Sequence, residues 1–267
     1  MMKIGFIGLG NMGGSLARLV AQDERFRSEL LLANRSRDKA EKIAAELGGQ
    51  PVSNEEVFAQ AEVIFLGIKP AQFTDLLAEY QAILEKRESI LLVSMAAGLT
   101  LELLEKFTPG HHRWIRIMPN TPVAVGEGVI TYNLSQRANQ ADEDLLRELL
   151  SSAGLLVKLE EKQLDAATAL AGCGPAFVYL FIEALADAGV RAGLSRDISL
   201  QLANQTLLGA AKLSQVSGQH PAQLKDQVCS PAGSTIAGVA SLEENAFRGT
   251  VMDAVQAAYK RTQELGK

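Results

Sequence analysis

A glycine-rich segment near the start of the chain has the residue types and spacing of a phosphate-binding loop. Residues 7–13 read IGLGNMG, so Gly8, Gly10 and Gly13 follow an apolar run in a GxGxxG pattern. In that context the first glycine allows a tight turn, the second lets the backbone approach a pyrophosphate, and the third allows close helix–strand packing. The next helix adds free N–H groups that attract phosphate. The alternative is a tight turn without a ligand, but the strand–turn–helix context favours a dinucleotide.

The segment after the next apolar run indicates which dinucleotide binds. NAD-binding units usually place an Asp or Glu about 20 residues after the glycines, where it receives the ribose hydroxyls. This chain has Asn34, Arg35 and Ser36 there instead. Arg35 can form two hydrogen bonds to a 2′-phosphate, and its neighbours can add more. We therefore predict NADPH as the cofactor, with NADH weaker. The alternative is that Arg35 is an ordinary surface arginine.

Three further segments end apolar runs and could contact the same cofactor. GIKP at 67–70 and SMAAG at 94–98 offer small residues beside which a nicotinamide ribose can pass, although either segment could be a plain turn. Asn120 lies between two prolines that stiffen its loop. Ligands of open α/β sheets bind at the carboxyl ends of strands, which is where all three segments are expected.

The apolar pattern predicts the elements that must hold these segments. Short runs rich in Ile, Leu and Val are typical of strands buried on both faces, and here they alternate with helix-like stretches. The predicted strands are 4–7, 30–33, 63–68, 90–94, 114–118, 129–132 and 155–158. The predicted helices among them are 13–22, 37–47, 71–84, 101–107 and 141–152. This alternation predicts an α/β fold with an N-terminal Rossmann-like, doubly wound parallel sheet.

The strand pattern stops near Glu160, where the composition changes. Helical periodicity then covers 164–171, 176–192, 196–217, 221–228 and 246–263. We predict a dinucleotide-binding domain at 1–160 and an all-α domain at 161–267. The stretch 176–192 is apolar almost all round and is expected to be buried on most sides. A helical domain with so much apolar surface predicts burial against a second subunit, and therefore a homodimer.

Composition narrows the classes of function. The net charge of −5 argues against nucleic acid as a partner, since phosphates attract basic surfaces. No apolar run is expected to reach the roughly 18–20 residues of a membrane helix, so no membrane partner is predicted. Cys173 and Cys229 lie far apart without metal-ligand spacing, so no metal site is predicted. Because a strand candidate begins at Ile4, no leader is expected and the protein is predicted to be cytoplasmic.

Three more segments carry a resemblance to a known family. They are MPNTP at 118–122, GCGPAFVY at 172–179 and SPAGSTI at 230–236. With the glycine-rich start, their order and spacing resemble the pyrroline-5-carboxylate reductase family from the first strand to about Arg248. The stretch 229–247 resembles that family's signature and is the most specific part. At 172–179 the family has a GSGPAY-like segment, and Cys173 in place of its serine affects packing more than chemistry.

The resemblance implies a reaction and an assembly. The reaction is hydride transfer from NADPH to the imine carbon of Δ1-pyrroline-5-carboxylate, which yields L-proline in the last step of proline biosynthesis. The assembly is a homodimer with interlocked helical domains and the active site between nucleotide domain and helices, and such dimers often assemble further, for example into a decamer. Because a cyclic imine can be protonated in solution, the enzyme needs mainly orientation and charge placement.

The resemblance also implies site residues. Thr235 is the catalytic candidate and would hydrogen-bond the substrate nitrogen, while the backbone N–H groups of Gly233, Ser234 and Thr235 suit the substrate carboxylate. Spacing alone favours an ordinary helix cap here, and the resemblance reverses that preference. Glu161 corresponds to a family position that contacts the substrate. The residues predicted to bind the cofactor are Ile7, Gly8, Leu9, Gly10, Asn11, Met12, Asn34, Arg35, Ser36, Asn54, Gly67, Ile68, Lys69, Pro70, Met95, Ala96, Ala97 and Asn120.

Two other functions fit part of the sequence. β-Hydroxyacid dehydrogenases have a similar nucleotide domain, but they place a catalytic lysine on the helix that begins near residue 175, and residues 175–189 contain no lysine. A non-catalytic NADP sensor would keep the three glycines of the first loop without needing a second glycine-rich helix start at 233–235. Loss of NADPH absorbance on adding the imine acid distinguishes a reductase from a sensor.

Overall fold

The computed structural model describes residues 2–265 and contains one eight-stranded sheet. The strand order is β3-β2-β1-β4-β5-β6-β7-β8. The strands are β1 (Ile4–Ile7), β2 (Leu30–Ala33), β3 (Gln50–Pro51), β4 (Val63–Leu66), β5 (Leu91–Ser94), β6 (Arg113–Pro119), β7 (Gly128–Leu134) and β8 (Gly154–Lys158). Strands β1 to β6 pair with one another in parallel, which confirms the predicted Rossmann-like doubly wound fold.

One strand departs from the predicted parallel sheet. β7 runs antiparallel to β6, while β8 is parallel to β7. The reason is the length of the connection, since only residues 120–127 separate β6 from β7. A parallel crossover needs about a dozen residues or more, usually including a helix. Residues 121–125 form a short 3-10 turn instead, and the chain folds back on itself.

Helices accompany the strands through residue 167. Ser53 caps one of these helices in a reciprocal box with Glu56, whose carboxylate accepts from the Ser53 N–H at 2.8 Å. The helices are α1 (Asn11–Val20), α2 (Glu24–Arg27), α3 (Arg37–Leu47), α4 (Asn54–Gln60), α5 (Phe73–Glu79), α6 (Gln81–Lys86), α7 (Leu101–Lys106), α8 (Gln140–Leu149) and α9 (Glu161–Ala167). A π-helical turn follows at Thr168–Gly172.

The core divides into two apolar clusters that use alternate residues of the same strands. Phe6 and Phe65 belong to the cluster shared with α1, α3 and α8, and their rings stack with centroids 4.7 Å apart. Ile7, Ile64 and neighbouring residues belong to the cluster shared with α4 to α7. Because successive side chains of a strand point to opposite faces, the two clusters cover the two faces of the sheet. This explains the continuous apolar runs in the sequence.

The rest of the chain is helical. The helices are α10 (Gly174–Arg191), α11 (Arg196–Ser217), α12 (Pro221–Gln227), α13 (Ser234–Glu244) and α14 (Phe247–Leu265). By its contacts the chain separates into two units, one formed by the chain up to Cys173 together with the residues from Ala258 on, the other by Gly174–Ala257. We refer to them as the sheet unit and the helical unit. The sequence places the change at residue 160 by secondary structure, whereas the contacts of α9 and the π-turn lie within the sheet unit.

The helical unit exposes most of its apolar residues. In α10, only Ala186 is buried, although the whole stretch is expected to be buried from its composition. Leu180 is 66% exposed and Met252 also 66% exposed. The single chain does not bury 176–192 by itself. The predicted burial against a second subunit stays a prediction.

One stretch, Glu161–Arg191, is long and apolar enough to cross a membrane by length and composition alone. The expectation that no segment would qualify is therefore wrong by this measure. The physical reason is that residues 166–182 contain no charged side chain. The core helix of a non-membrane protein can pass the same test, so the feature by itself assigns no membrane.

Candidate functional site

The carboxyl ends of β1, β2, β4 and β5 lie side by side at one edge of the sheet. Backbone hydrogen bonds continue past the strand ends, since the Gly8 N–H donates to Ala33 O at 2.9 Å and the Gly67 N–H donates to Ile7 O at 2.8 Å. The predicted cofactor segments after these four strands, beginning at residues 8, 34, 67 and 95, therefore meet at one edge. That edge is where open α/β sheets bind their ligands.

Glycine is required at different positions of this edge for different structural reasons. Gly8 has φ +91°, a left-handed conformation that favours glycine. A Cβ on Gly13 would lie 2.1 Å from the Gly8 carbonyl oxygen, and one on Gly67 would lie 2.4 Å from the same atom. A Cβ on Gly10, in contrast, would meet no atom within 4 Å. Gly10 thus keeps open a space that a ligand can approach, as a phosphate-binding loop requires.

The N-terminus of α1 can receive an anion. Its N-cap is Gly10, no side chain caps it, and its first turn has no acidic residue. The first N–H groups of a helix have no intrahelical acceptor and carry positive partial charge. A cleft of about 500 Å³ opens beside Gly10, Asn11 and Ser15. The residues present therefore fit the phosphates of a dinucleotide.

Two lysines that were not predicted from the sequence also line this cleft. Lys39 and Lys42 line it from α3. Arg18 forms a bidentate ion pair with Glu46, both hydrogen bonds being 2.7 Å, and this pairing holds the pKa of the Glu46 carboxyl below its usual value. The two lysines therefore leave the cleft positive. The sequence feature that could have indicated these two lysines is the position of Lys39, in the first turn of the helix that follows Arg35.

The residues at the end of β2 have two separate tasks. Arg35 and Ser36 are exposed, and Arg35 forms no ion pair within residues 2–265. The Asn34 side chain accepts from the Leu9 N–H at 3.0 Å and donates to Ser36 O at 3.2 Å. Asn34 thus ties the glycine loop to the end of β2. Its amide shapes the loop, while Arg35 keeps its guanidinium free.

The remaining predicted cofactor segments lie at the same edge. Lys69 and Pro70 are exposed at the start of a 3-10 turn, whereas Ala96 is buried in the loop after β5. Gly98, with φ +80°, turns that loop toward α7. Asn54 begins α4, which the sequence analysis did not predict although its Ser53–Glu56 cap has the S-x-x-E signature.

The Asn120 side chain makes two hydrogen bonds within the sheet unit. It accepts from the Val129 N–H at 2.8 Å and donates to Ala171 O at 3.0 Å, and the residue is 7% exposed. It therefore fastens the π-turn to the start of β7. Its backbone is engaged as well, since its N–H donates to Val129 O at 3.1 Å and its carbonyl accepts from the Val123 N–H at 3.3 Å. Its predicted role as a cofactor contact stays a prediction.

Glu161 belongs to an ionic network around the buried Arg116. Its Oε1 accepts from the Leu101 N–H at 2.6 Å and from Arg116 Nη1 at 3.3 Å. Arg116 also donates to Asp165 Oδ1 at 3.2 Å. Arg116 was not predicted as a site residue, because a single arginine in an apolar strand does not indicate which residues it pairs with.

The second candidate region, residues 230–235, lies in the helical unit. Gly233 is the N-cap of α13 and its own N–H donates to Ser230 O at 3.0 Å. The N–H groups free for a carboxylate are therefore those of Ser234 and Thr235, which have no intrahelical acceptor. The first turn contains no acidic residue, and both residues are exposed. Ala232 precedes them with φ +56°, a conformation that alanine adopts at a cost.

Histidine and metal chemistry find no support at these positions. His112 is buried, its Nε2 lies 3.1 Å from Leu84 O, and burial lowers its pKa to about 4, so it is neutral at pH 7. Among residues 2–265, no three His, Cys, Asp or Glu side chains are grouped as a metal site would need.

Known protein families match both the N-terminal and the C-terminal part of this chain. A family model described as pyrroline-5-carboxylate reductase dimerisation matches residues 161–265, and one described as NADP oxidoreductase, coenzyme F420-dependent, matches residues 3–98. Pyrroline-5-carboxylate reductase from Pisum sativum is 45% identical over 98% of this chain and 95% of its own. The enzyme from Synechocystis sp. is 40% identical over 100% of this chain and 99% of its own.

Solved structures agree with these relatives. Pyrroline carboxylate reductase from Plasmodium falciparum, with NADP bound, has a TM-score of 0.88 at 37% identity and covers 100% of this chain and 98% of its own. Pyrroline-5-carboxylate reductase from Coxiella burnetii has a TM-score of 0.90 at 31% identity, with 100% and 99% covered.

Proposed function

This chain belongs to the pyrroline-5-carboxylate reductase family, and from that membership we propose which of its residues bind the cofactor and the substrate. Its function is the reduction of Δ1-pyrroline-5-carboxylate to L-proline with NADPH, the last step of proline biosynthesis. The observation that carries this function is identity along both units, from the glycine loop to α14, rather than in the nucleotide-binding part alone.

The cofactor residues form the first part of the proposal. When bound, NADPH supplies the hydride that adds to the imine carbon. Gly10 and the N-terminus of α1 hold the pyrophosphate, because the space there is open and the N–H groups are free. Arg35 and Lys39 bind the 2′-phosphate, since both are exposed cations at the start of α3. The loops at 67–70 and 95–97 and Asn120 bind the nicotinamide side. Asn54 begins α4 after β3, beside β2, and contacts the cofactor there.

The substrate residues form the second part. The N–H groups of Ser234 and Thr235 bind the carboxylate, and the Thr235 hydroxyl hydrogen-bonds the ring nitrogen, as a free helix N-terminus and an exposed hydroxyl allow. Gly233 acts by shaping this turn, since its N–H is already bonded to Ser230 O. Glu161 places negative charge near the ring nitrogen. A protonated imine is already electrophilic, so these residues need to hold and orient it rather than donate a proton.

The assembly forms the third part. The chain carries a dimerisation domain and the protein is oligomeric. We propose a homodimer whose helical domains interlock, with assembly to a decamer as the next level. The exposed apolar residues of α10 and α11 support this, because large apolar surfaces mark subunit contacts. Sedimentation at micromolar concentration tests the proposal, and a species of one chain would contradict it.

A cytoplasmic location completes the proposal. Both cysteines are free thiols, which suits a reducing compartment. Cell fractionation is the test, and recovery with an organelle would contradict this location.

One steady-state assay tests the function. NADPH absorbance is followed after adding the imine acid, with NADH as the second cofactor. Rapid oxidation of NADPH and slower oxidation of NADH are expected. Tight NADPH binding without oxidation would instead indicate a sensor.

A further inference from the structure

Arg116 occupies a costly position for a charged residue. It lies in the middle of β6, opposite Ser94 of β5 and between two fully buried isoleucines, and its side chain is only 3% exposed. Burying a charge is strongly unfavourable unless the charge is paired, and an apolar residue in such a place is often as stable or more so. Stability of the sheet alone therefore does not account for this arginine.

The partners of Arg116 are both carboxylates on α9. Nη1 lies 3.3 Å from Glu161 Oε1 and Nη2 lies 3.2 Å from Asp165 Oδ1, while Nε has no partner among the residues described. The carboxylates are 31% and 33% exposed. Two negative charges against one positive charge leave this open side of the network with a net charge of −1. Such a place favours a cationic ligand.

Glu161 divides its two oxygens between different tasks. Oε1 receives both Arg116 and the N–H of Leu101, the residue that follows the loop after β5. Oε2 takes part in no hydrogen bond within residues 2–265. One oxygen is therefore fixed from two directions, and the other is left to a ligand.

We propose that Arg116 is a positioning residue for the reaction and acts through Glu161. By holding Oε1, it fixes the carboxylate so that Oε2 faces the protonated ring nitrogen of the cyclic imine. This inference rests on the proposed role of Glu161 in substrate binding. The protonated imine supplies the positive charge that the network lacks, and hydride addition converts it to an amine whose ammonium form is again a cation.

The test is a double-mutant cycle between Arg116 and Glu161, measured with purified full-length protein. R116K keeps the positive charge but loses the guanidinium, whose two Nη atoms contact the two carboxylates. E161Q keeps the acceptor for Leu101 but loses the charge. Each is expected to raise the KM for the imine acid about tenfold while the Kd for NADPH changes less than about twofold. The double variant is expected to be no worse than E161Q alone, because residues that act as one unit are not additive.

R113K is the matched control. Arg113 lies on the same strand and pairs with the buried Asp142 at 2.5 Å, away from Glu161. Its replacement is expected to lower the melting temperature and leave the KM unchanged. If R116K does not fold, R116Q/D165N removes one positive and one negative charge together and carries the same expectation.

Three results overturn the inference. They are additive effects in the cycle, an unchanged KM in R116K or R116Q/D165N, and equal KM changes in R116K and R113K. Failure of the proposed function is a separate result, because wild-type protein would then leave NADPH unoxidised in the presence of the imine acid.

Discussion

The sheet unit and the helical unit use apolar residues in opposite ways. Strands β1, β2, β4 and β5 are completely buried, and two clusters cover both faces of their sheet. In the helical unit, the 22-residue helix α11 buries only Ser199 and Ala203. The first unit holds a core of its own, whereas the second is a set of helices whose apolar faces stay exposed in the single chain, where the proposed homodimer would cover them. The family's dimerisation domain coincides with this second pattern.

The proposed cofactor residues and the proposed substrate residues therefore depend on different parts of the structure. The dinucleotide edge is built by hydrogen bonds within one sheet unit, such as that from the Leu9 N–H to Asn34 Oδ1 at 3.0 Å. Residues 230–235 belong to helices that lack a core of their own. Cofactor binding is therefore expected to survive changes that abolish substrate turnover.

The largest expected effect comes from breaking the apolar surface of the helical unit. L180E places a carboxylate on a helix face that a partner is expected to bury, which costs roughly 2–3 kcal/mol of lost burial per copy in addition to the charge. The dissociation constant of the dimer should rise at least about 100-fold and turnover should be lost. Sedimentation and the NADPH assay measure the two effects. L155E is the control, since Leu155 of β8 is similarly exposed, at 56%, in the sheet unit. Equal behaviour of the two variants would contradict the comparison.

Removal of the Thr235 hydroxyl is expected to have the next largest effect. T235A should lower kcat about 100-fold, the size of losing one positioned hydrogen bond at a reacting group. NADPH affinity should remain nearly intact, because the cofactor edge lies in the sheet unit. Fluorescence titration with NADPH and steady-state kinetics measure the two quantities. T206A is the control, since the Thr206 hydroxyl donates to Leu202 O of its own helix at 2.7 Å. Unchanged turnover in T235A would exclude Thr235 from the chemistry.

A smaller effect is expected for cofactor choice. R35A should weaken NADPH about tenfold or more and leave NADH nearly unchanged, because only NADPH carries the 2′-phosphate. R37A is the matched control, since Arg37 is paired with Glu41 at 2.9 Å. Titration of each variant with both cofactors is the measurement. Equal losses for NADPH and NADH would show that Arg35 does not read the phosphate.

Sequence alone could predict elements wherever one periodicity was long and uninterrupted. The strands at 4–7 and 30–33 and the helices at 37–47 and 196–217 have the predicted bounds. β3 has only two residues and no pattern to detect, and the predicted helix 71–84 is interrupted at Tyr80. The strand at 129–132 was predicted, but its antiparallel direction was not, although the short connection before it was visible in the sequence.

The parts of the site that could be predicted are those where the backbone geometry requires a particular type of residue. The space at Gly10 and the crowding at Gly13 follow from the GxGxxG spacing. The network of Arg116 could not be predicted, because Glu161 lies 45 residues after Arg116 in the sequence and only folding brings the side chains together. The engagement of the Asn34 and Asn120 amides was hidden for the same reason.

The smallest expected effect separates strain from function within the helical unit. Ala232 and Ala246 both have positive φ, +56° and +55°, where alanine is less stable than glycine by about 1 kcal/mol. A232G and A246G should therefore each raise the free energy of unfolding by up to about 1 kcal/mol, measured by denaturant titration. Ala246 joins α13 to α14, whereas Ala232 immediately precedes the turn that presents Ser234 and Thr235. Only A232G should therefore raise the KM for the imine acid, by about two- to threefold, because glycine loosens the turn whose position matters. If both variants gain stability and neither changes the KM, the strained conformation of Ala232 is needed for the fold of the loop and not for binding the substrate carboxylate.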